Sequence, residues 1–148
     1  MTKSNKGITL IILIIIFITL AIFVLPIAGE IYLILSPQPS EKFTEFQVLG
    51  PDGTNKDYPT SLSVGQSGNV TISIVNHENM DTNYQLIIKF NQKILMNKNI
   101  TLADNEQKKI SFKFAPSKGN DQKLEFLLYK LPDTQKVYRS IFMYVNVA

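Results

Sequence analysis

The distribution of hydrophobic residues divides the chain into two parts. From Ile8 to Ala28 the sequence has no charged residue, and only Thr9, Thr19 and Pro26 interrupt its apolar side chains. Beyond position 36, short segments in which apolar and polar residues alternate follow one another, separated by turn-forming residues. The first pattern is typical of a membrane-spanning helix, and the second is typical of half-buried strands.

The N-terminal segment predicts one transmembrane helix over residues 8–35. A helix of about 20 apolar residues spans the hydrocarbon layer of a bilayer and satisfies every backbone polar group within it. We expect the helix to emerge from the bilayer near Glu30. Because Lys3 and Lys6 precede the helix and acidic residues follow it, the positive-inside rule predicts a cytoplasmic segment 1–7 and an extracellular C-terminal domain.

Two processed forms remain as alternatives to an intact membrane helix. A cleaved signal peptide usually has a shorter apolar core, about 7–15 residues, before a small-x-small site. Pro26-Ile27-Ala28-Gly29 is a poor match to such a site. Lys6-Gly7 followed by Ile8-Thr9-Leu10 is similar to the cleavage junction of an archaeal pilin-type leader, although Ile12 stands where pilins usually carry a glutamate. Processing at Gly7 would make the protein a filament subunit.

After a Pro- and Ser-containing linker at residues 36–44, the sequence predicts a β domain over residues 45–148. Seven or eight short alternating strands in a domain of this size favour a mainly β, immunoglobulin-like antiparallel β-sandwich. The chain has neither cysteine nor tryptophan, so the strand number and spacing carry this prediction. The alternating segments are 46–49, 70–74, 84–90, 94–96, 100–102, 110–114, 124–128 and 141–147.

The composition excludes several kinds of chemistry. Without cysteine there can be no disulfide, thiolate metal site or cysteine nucleophile. The net charge of +3 comes from lysines interleaved with acidic residues, which does not indicate a nucleic-acid partner. No Ser-His-Asp arrangement and no glycine-rich phosphate loop is legible. We therefore predict no enzyme activity and no cofactor, and we identify no small-molecule substrate.

The only histidine of the chain, His77, lies at the end of a predicted strand in the segment Asn76-His77-Glu78-Asn79. A single histidine is too few for most zinc or copper sites, so we expect His77 to organise the local loop. A metal site shared with nearby carboxylates and a partner contact are the alternatives. A calcium site built from aspartates in two turns is a further alternative, although no Asp-x-Asp-x-Asp run exists.

Two glycosylation sequons are present, Asn69-Val70-Thr71 and Asn99-Ile100-Thr101. The alternation places Val70 and Ile100 in the core. We therefore expect Asn69 and Asn99 to face solvent and to be usable acceptors if the domain is extracellular.

The last two strands predict a partner interface. If Ile141 and Met143 face the core, neighbouring side chains of opposite parity face outward and form one apolar surface. Such surfaces usually mark interaction sites, where aromatic residues are enriched. The alternative is that both faces of this hairpin are covered by other parts of the domain. The predicted interface residues are Leu127, Tyr129, Tyr138, Phe142 and Tyr144.

Six stretches of the β domain carry a family resemblance: Phe46–Gly53, Tyr58–Gly65, Val75–Glu78, Asn99–Ala103, Leu124–Lys130 and Tyr138–Ser140. In combination they resemble the outer domain of the archaeal DUF1616 family, whose function is not assigned. This resemblance implies an archaeal envelope protein with an extracellular sandwich, and it supplies no catalytic residues. Many family members carry several membrane helices before this domain, whereas we predict one here, so an activity tied to the larger membrane part does not carry over.

Together these features predict a non-catalytic, single-pass, membrane-anchored interaction module. It would serve as an accessory or structural subunit of an archaeal membrane protein complex or of the cell envelope. Its expected partners are membrane lipid and other membrane or envelope proteins. The alternatives are an extracytoplasmic ligand-binding domain for a glycan or a metal ion, and a pilin-like filament subunit.

Overall fold

The chain divides into two compact units, residues 1–40 and 41–148. The computed structural model describes residues 5–19 of the first unit and the whole of the second. Residues 5–19 are helical, and the hydroxyls of Thr9 and Thr19 donate hydrogen bonds to backbone carbonyls one turn earlier.

The predicted membrane span 8–35 is therefore helical over residues 8–19. Its remainder, together with residues 36–40 of the predicted linker, lies outside the described residues. Within the described ranges 5–19 and 41–148, no helix combines the length and the hydrophobicity that crossing a membrane requires.

Residues 41–148 form a sandwich of two β-sheets. The smaller sheet has the strand order β1-β3-β6, and the larger has the order β2-β8-β7-β4-β5. Neighbouring strands are antiparallel except for the parallel pair β2 and β8. The strands are β1 (Phe43–Leu49), β2 (Ser61–Leu62), β3 (Gly68–His77), β4 (Thr82–Phe90), β5 (Lys93–Leu102), β6 (Gln107–Phe114), β7 (Gly119–Lys130) and β8 (Arg139–Val147).

The core lies between the two sheets and is built mainly from alternating residues of the strands. On β7, for example, Leu124, Phe126 and Leu128 are completely buried. Burying one such side chain contributes about 1.5–3 kcal/mol, so the alternation supplies most of the driving force for this packing. The mainly β prediction, with eight strands in two sheets, is confirmed.

Three details differ from the prediction. The segments 94–96 and 100–102 belong to one strand, β5, because the polar residues between them lie on an exposed sheet edge and not in a turn. The short strand β2 was missed, and its parallel pairing with β8 means that the sandwich is not wholly antiparallel. Finally, β1 begins at Phe43, inside the predicted linker 36–44, because Thr44 pairs with β3.

A candidate interaction surface and a buried polar cluster

The outer face of the larger sheet carries two exposed aromatic residues. The register of β7 and β8 pairs Glu125 with Phe142 and Lys123 with Tyr144, which places all four side chains on that face. Phe142 is 58% exposed and Tyr144 is 50% exposed. Their ring centroids lie 5.8 Å apart in an edge-to-face arrangement. The two rings thus form one apolar feature that contacts solvent.

Neighbouring strands extend this feature across the sheet. Leu127 of β7 pairs with Ile87 of β4, and Tyr129 pairs with Gln85, so Leu127, Ile87 and Tyr129 share the outer face. All three are half-buried. We call the set the outer apolar patch; it consists of Ile87, Leu127, Tyr129, Phe142 and Tyr144.

An ion pair borders the outer apolar patch. Lys123 Nζ lies 2.7 Å from Glu125 Oε1 and 5.0 Å from the centroid of the Phe142 ring. The hydrogen bond to Glu125 raises the pKa of Lys123, so the ammonium group remains charged. An apolar centre with a charged border is the usual composition of a protein–protein interface.

Tyr138 does not belong to this surface, although the sequence placed it there. Its hydroxyl donates a hydrogen bond to Glu78 Oε1 at 2.6 Å, within a separate cluster at one end of the sandwich. The prediction extended the alternation of β8 to a residue that precedes the strand, which begins at Arg139. Outside the strand the two-residue period no longer fixes the direction of the side chain.

Glu78 is the centre of this buried polar cluster and is only 2% exposed. Besides the bond from Tyr138, its carboxylate accepts hydrogen bonds from the hydroxyl of Thr44 at 2.8 Å and from Lys130 Nζ at 2.7 Å. One side chain thereby joins the start of β1, the turn between β3 and β4, the end of β7 and the loop before β8.

A second layer of hydrogen bonds supports the carboxylate from the core. The hydroxyls of Thr44 and Tyr84 lie 2.7 Å apart, and Tyr84 Oη lies 3.2 Å from Asn76 Oδ1, so the single proton of Tyr84 has both acceptors within reach. The amide group of Asn76 donates in turn to the backbone carbonyl of Leu102 at 3.0 Å. The network is complete: among the described residues, no buried side-chain nitrogen or oxygen lacks a partner.

The electrostatics of the cluster favour an ionised carboxylate. Burial by itself would raise the pKa of Glu78, but the hydrogen bonds from Lys130, Tyr138 and Thr44 outweigh burial and hold that pKa below its usual value of 4.5. The bond to Glu78 raises the pKa of Lys130. Burial, followed by the bond to Glu78, raises the pKa of Tyr138. At neutral pH the cluster therefore contains an anion, a cation and neutral hydroxyl donors.

His77 lies outside this cluster, on the outer side of the smaller sheet. Its Nδ1 is 2.9 Å from Asn105 Oδ1, its Nε2 is 3.2 Å from Glu45 Oε1, and its ring packs against Phe43. These contacts join β1, the end of β3 and the turn before β6. Within the part of the chain that the structure describes, no group of three or more histidine or acidic residues could hold a metal ion.

The two sequons have different environments. Val70 and Ile100 are buried, so both asparagines face outward from their sheets. Asn69 lies on β3, the central strand of the smaller sheet, where it is half-buried and accepts a hydrogen bond from the hydroxyl of Ser111 at 3.1 Å. Asn99 lies exposed on β5, at the edge of the larger sheet. Asn99 therefore has a neighbouring strand on one side only, whereas Asn69 has one on both sides.

Comparison with known proteins supports the fold and gives a family. Residues 37–146 match the family described as "Domain of unknown function (DUF1616)". A search of the curated proteins found no match.

Solved structures are similar to this chain at low sequence identity. The CARDB domain of the PF1109 protein from Pyrococcus furiosus, in complex with di-metal ions, matches with a TM-score of 0.54 and 12% identity, covering 76% of this chain and 100% of that chain. A beta-glucosidase from Listeria innocua, in complex with laminaribiose, matches with a TM-score of 0.49 and 12% identity, covering 76% of this chain but 17% of that chain. The first similarity confirms the immunoglobulin-like fold; at this identity it shows nothing about ligands.

Proposed function

This chain belongs to the DUF1616 family, and we propose that it is a non-catalytic interaction module that binds another protein through the outer apolar patch. The observation that carries this proposal is the exposure of Phe142 and Tyr144 next to further apolar side chains on the same face. The free energy decreases when a partner covers large aromatic residues that contact water, and such residues supply much of the affinity of protein interfaces.

The chemistry of the patch suits a protein partner. Ile87, Leu127 and the two exposed rings provide an apolar centre, while Lys123 and Glu125 provide a charged border that can orient the partner. A hydrophobic centre would exclude water, and the border would contribute specificity more than affinity.

We further propose that the module is anchored in a membrane by residues 8–35, with the N-terminus cytoplasmic and the sandwich extracellular. The uncharged sequence from Ile8 to Ala28 and the lysines before it support this orientation. The partner would then be another membrane or envelope protein, and this chain would be an accessory subunit of an archaeal membrane complex or of the cell envelope.

A purification from native membranes tests the proposal. The full chain is isolated in a mild detergent as the wild type, as the double variant F142S/Y144S, and as the control Q47S/K109S. Gln47 and Lys109 are exposed strand residues on the outer face of the smaller sheet, so the control makes an equal number of serine substitutions at comparable positions.

We expect a stoichiometric membrane or envelope protein to accompany the wild type and the control but to be absent from F142S/Y144S, with unchanged thermal unfolding of all three. Cross-linking from position 142 identifies a second copy of the chain if the product has twice the monomer mass. Retention of the same partner by F142S/Y144S, or unfolding of that variant, would overturn the proposal.

A further inference from the structure

A cleft of about 350 Å³ opens beside the loop that joins β7 to β8. It lies at the end of the sandwich where β1 begins, since Lys130 in its wall contacts Glu78, which also binds Thr44 of β1. Binding clefts for small molecules range from roughly 300 to 1,000 Å³, so this one suits a small chemical group. Its lining residues are Lys130, Asp133, Lys136, Val137, Tyr138 and Arg139.

Some of the charged side chains that line the cleft have a partner of opposite charge, and others do not. Lys130 is neutralised by Glu78 at 2.7 Å. The carboxylate of Asp133 accepts hydrogen bonds from the backbone N–H groups of Gln135 at 2.9 Å and Lys136 at 3.1 Å, which hold the loop in shape and lower the pKa of Asp133. Within residues 5–19 and 41–148, neither Lys136 nor Arg139 forms an ion pair.

The ring of Tyr138 contacts two of the cationic groups, those of Lys130 and Arg139. Arg139 Cζ lies 4.7 Å from the ring centroid, and Lys130 Nζ lies 4.9 Å from it. The ring itself is fixed through its hydroxyl, which donates to the buried carboxylate of Glu78. A cation that rests on a fixed ring loses less conformational entropy when it binds a ligand than a free surface side chain does.

We propose that this cleft binds a phosphate group, with Arg139 and Lys136 as its ligands. A guanidinium group presents a planar fork of N–H donors that matches two oxygens of a phosphate, and a lysine ammonium adds a third contact. The site is separate from the outer apolar patch, and it shares no residue with that surface. The same chemistry could come from inorganic phosphate in solution or from a phospholipid head group.

The composition of the chain offers a selective reporter. Arg139 is the only arginine, so a full chain labelled with ¹⁵N-arginine has a single Nε–Hε resonance. The labelled chain in maltoside micelles is titrated with sodium phosphate, and with sodium chloride at equal ionic strength. The same resonance is then compared between these micelles, which carry no phosphate, and nanodiscs of phosphatidylcholine with and without phosphatidylglycerol.

We expect a saturable shift of the Arg139 resonance with phosphate and no saturable shift with chloride. K136Q should weaken the phosphate titration about threefold, since it removes one exposed charged contact to the anion. K56Q removes an equal charge from an exposed loop outside the cleft and should leave the titration unchanged. Both variants are first checked for unfolding at the wild-type temperature.

The nanodisc comparison distinguishes a phospholipid head group from inorganic phosphate as the bound group. A shift in either nanodisc relative to the phosphate-free micelle supports a lipid head group, and a shift caused by soluble phosphate alone supports a free oxyanion. The proposal is overturned if no phosphate source shifts the resonance, if chloride acts equally, or if K136Q and K56Q titrate alike. These outcomes do not depend on the outer apolar patch, so the proposed protein interaction stands or falls separately.

Discussion

The buried polar cluster around Glu78 and the outer apolar patch around Phe142 are opposite departures from the usual segregation of side chains. In the first, a carboxylate lies inside, and every hydrogen bond that it needs comes from the domain itself. In the second, two aromatic rings lie outside, half or more exposed. The difference teaches where to look for function: the fold explains the cluster, whereas exposed aromatic rings of this kind usually mark an interaction site.

The largest expected effect tests whether the outer apolar patch contributes to folding, and it uses two phenylalanines on adjacent strands. Phe126 is fully buried and Phe142 is 58% exposed. We expect F126A to reduce the free energy of unfolding by about 3–5 kcal/mol, because it leaves a cavity in the core. F142A should change it by about 0.5 kcal/mol or less. Urea unfolding of the full chain measures both, and a loss above about 2 kcal/mol for F142A would show that the patch is structural.

Removing the central carboxylate of the polar cluster should reduce the stability of the domain. E78A leaves Tyr138, Thr44 and Lys130 without their acceptor, and we expect it to cost about 3 kcal/mol, a value at the lower limit for a broken buried pair because Lys130 can reach solvent. E45A, which removes an exposed carboxylate beside His77, is the matched control and should cost less than about 1 kcal/mol. Equal effects of the two variants in thermal or urea unfolding would contradict the assigned role of Glu78.

The charge of the cluster predicts a pH dependence. Because the pKa of Glu78 is lower in the folded protein than its usual value of 4.5, its stabilising effect is complete above that value and is lost as the pH falls through the folded pKa. E78Q cannot ionise, so the stability difference between wild type and E78Q should shrink as the solution is acidified below pH 4.5. The measurement is urea unfolding of both proteins across a pH series. A difference that stays constant would show that the ionised form contributes nothing.

The smallest expected effect on folding concerns the sequons. In a host that glycosylates extracytoplasmic domains, we expect a glycan on Asn99 and none on Asn69, because Asn69 is half-buried and bonded to Ser111. Intact-mass measurement should show the added mass in N69Q and its loss in N99Q. A sequon in a flexible tag after Ala148 serves as the control for location. Loss of the mass in N69Q instead would contradict this assignment.

The sequence predicted those features that depend on local periodicity. Burial of Val70 and Ile100, exposure of Phe142 and Tyr144, and the strands that carry them all follow from the two-residue alternation. Strand β2 could not be found in this way, since Ser61 and Leu62 are too few to show a period and owe their conformation to pairing with β8.

The polar cluster was missed for a different reason. Glu78 follows β3 in a segment rich in polar residues, which is typical of an exposed turn. Its burial depends on Thr44, Lys130 and Tyr138, which are 34, 52 and 60 residues away along the chain. No local pattern encodes such an arrangement. The hydrogen bond to Glu78 also explains why Tyr138 does not lie on the outer apolar patch, where the alternation of β8 had predicted it.

The position of Glu78 also has a mechanical consequence. The strand β1 starts at one end of the sandwich, and β8 finishes at the other, because it begins beside the end of β7 that contacts Glu78. Tension between these two ends would load the antiparallel bonds of β1 and β3 in shear, so that many must break together. The Thr44–Glu78 hydrogen bond lies at the start of β1, where such a pulling force would first act. It would add a side-chain contact to the backbone hydrogen bonds that resist the displacement of β1.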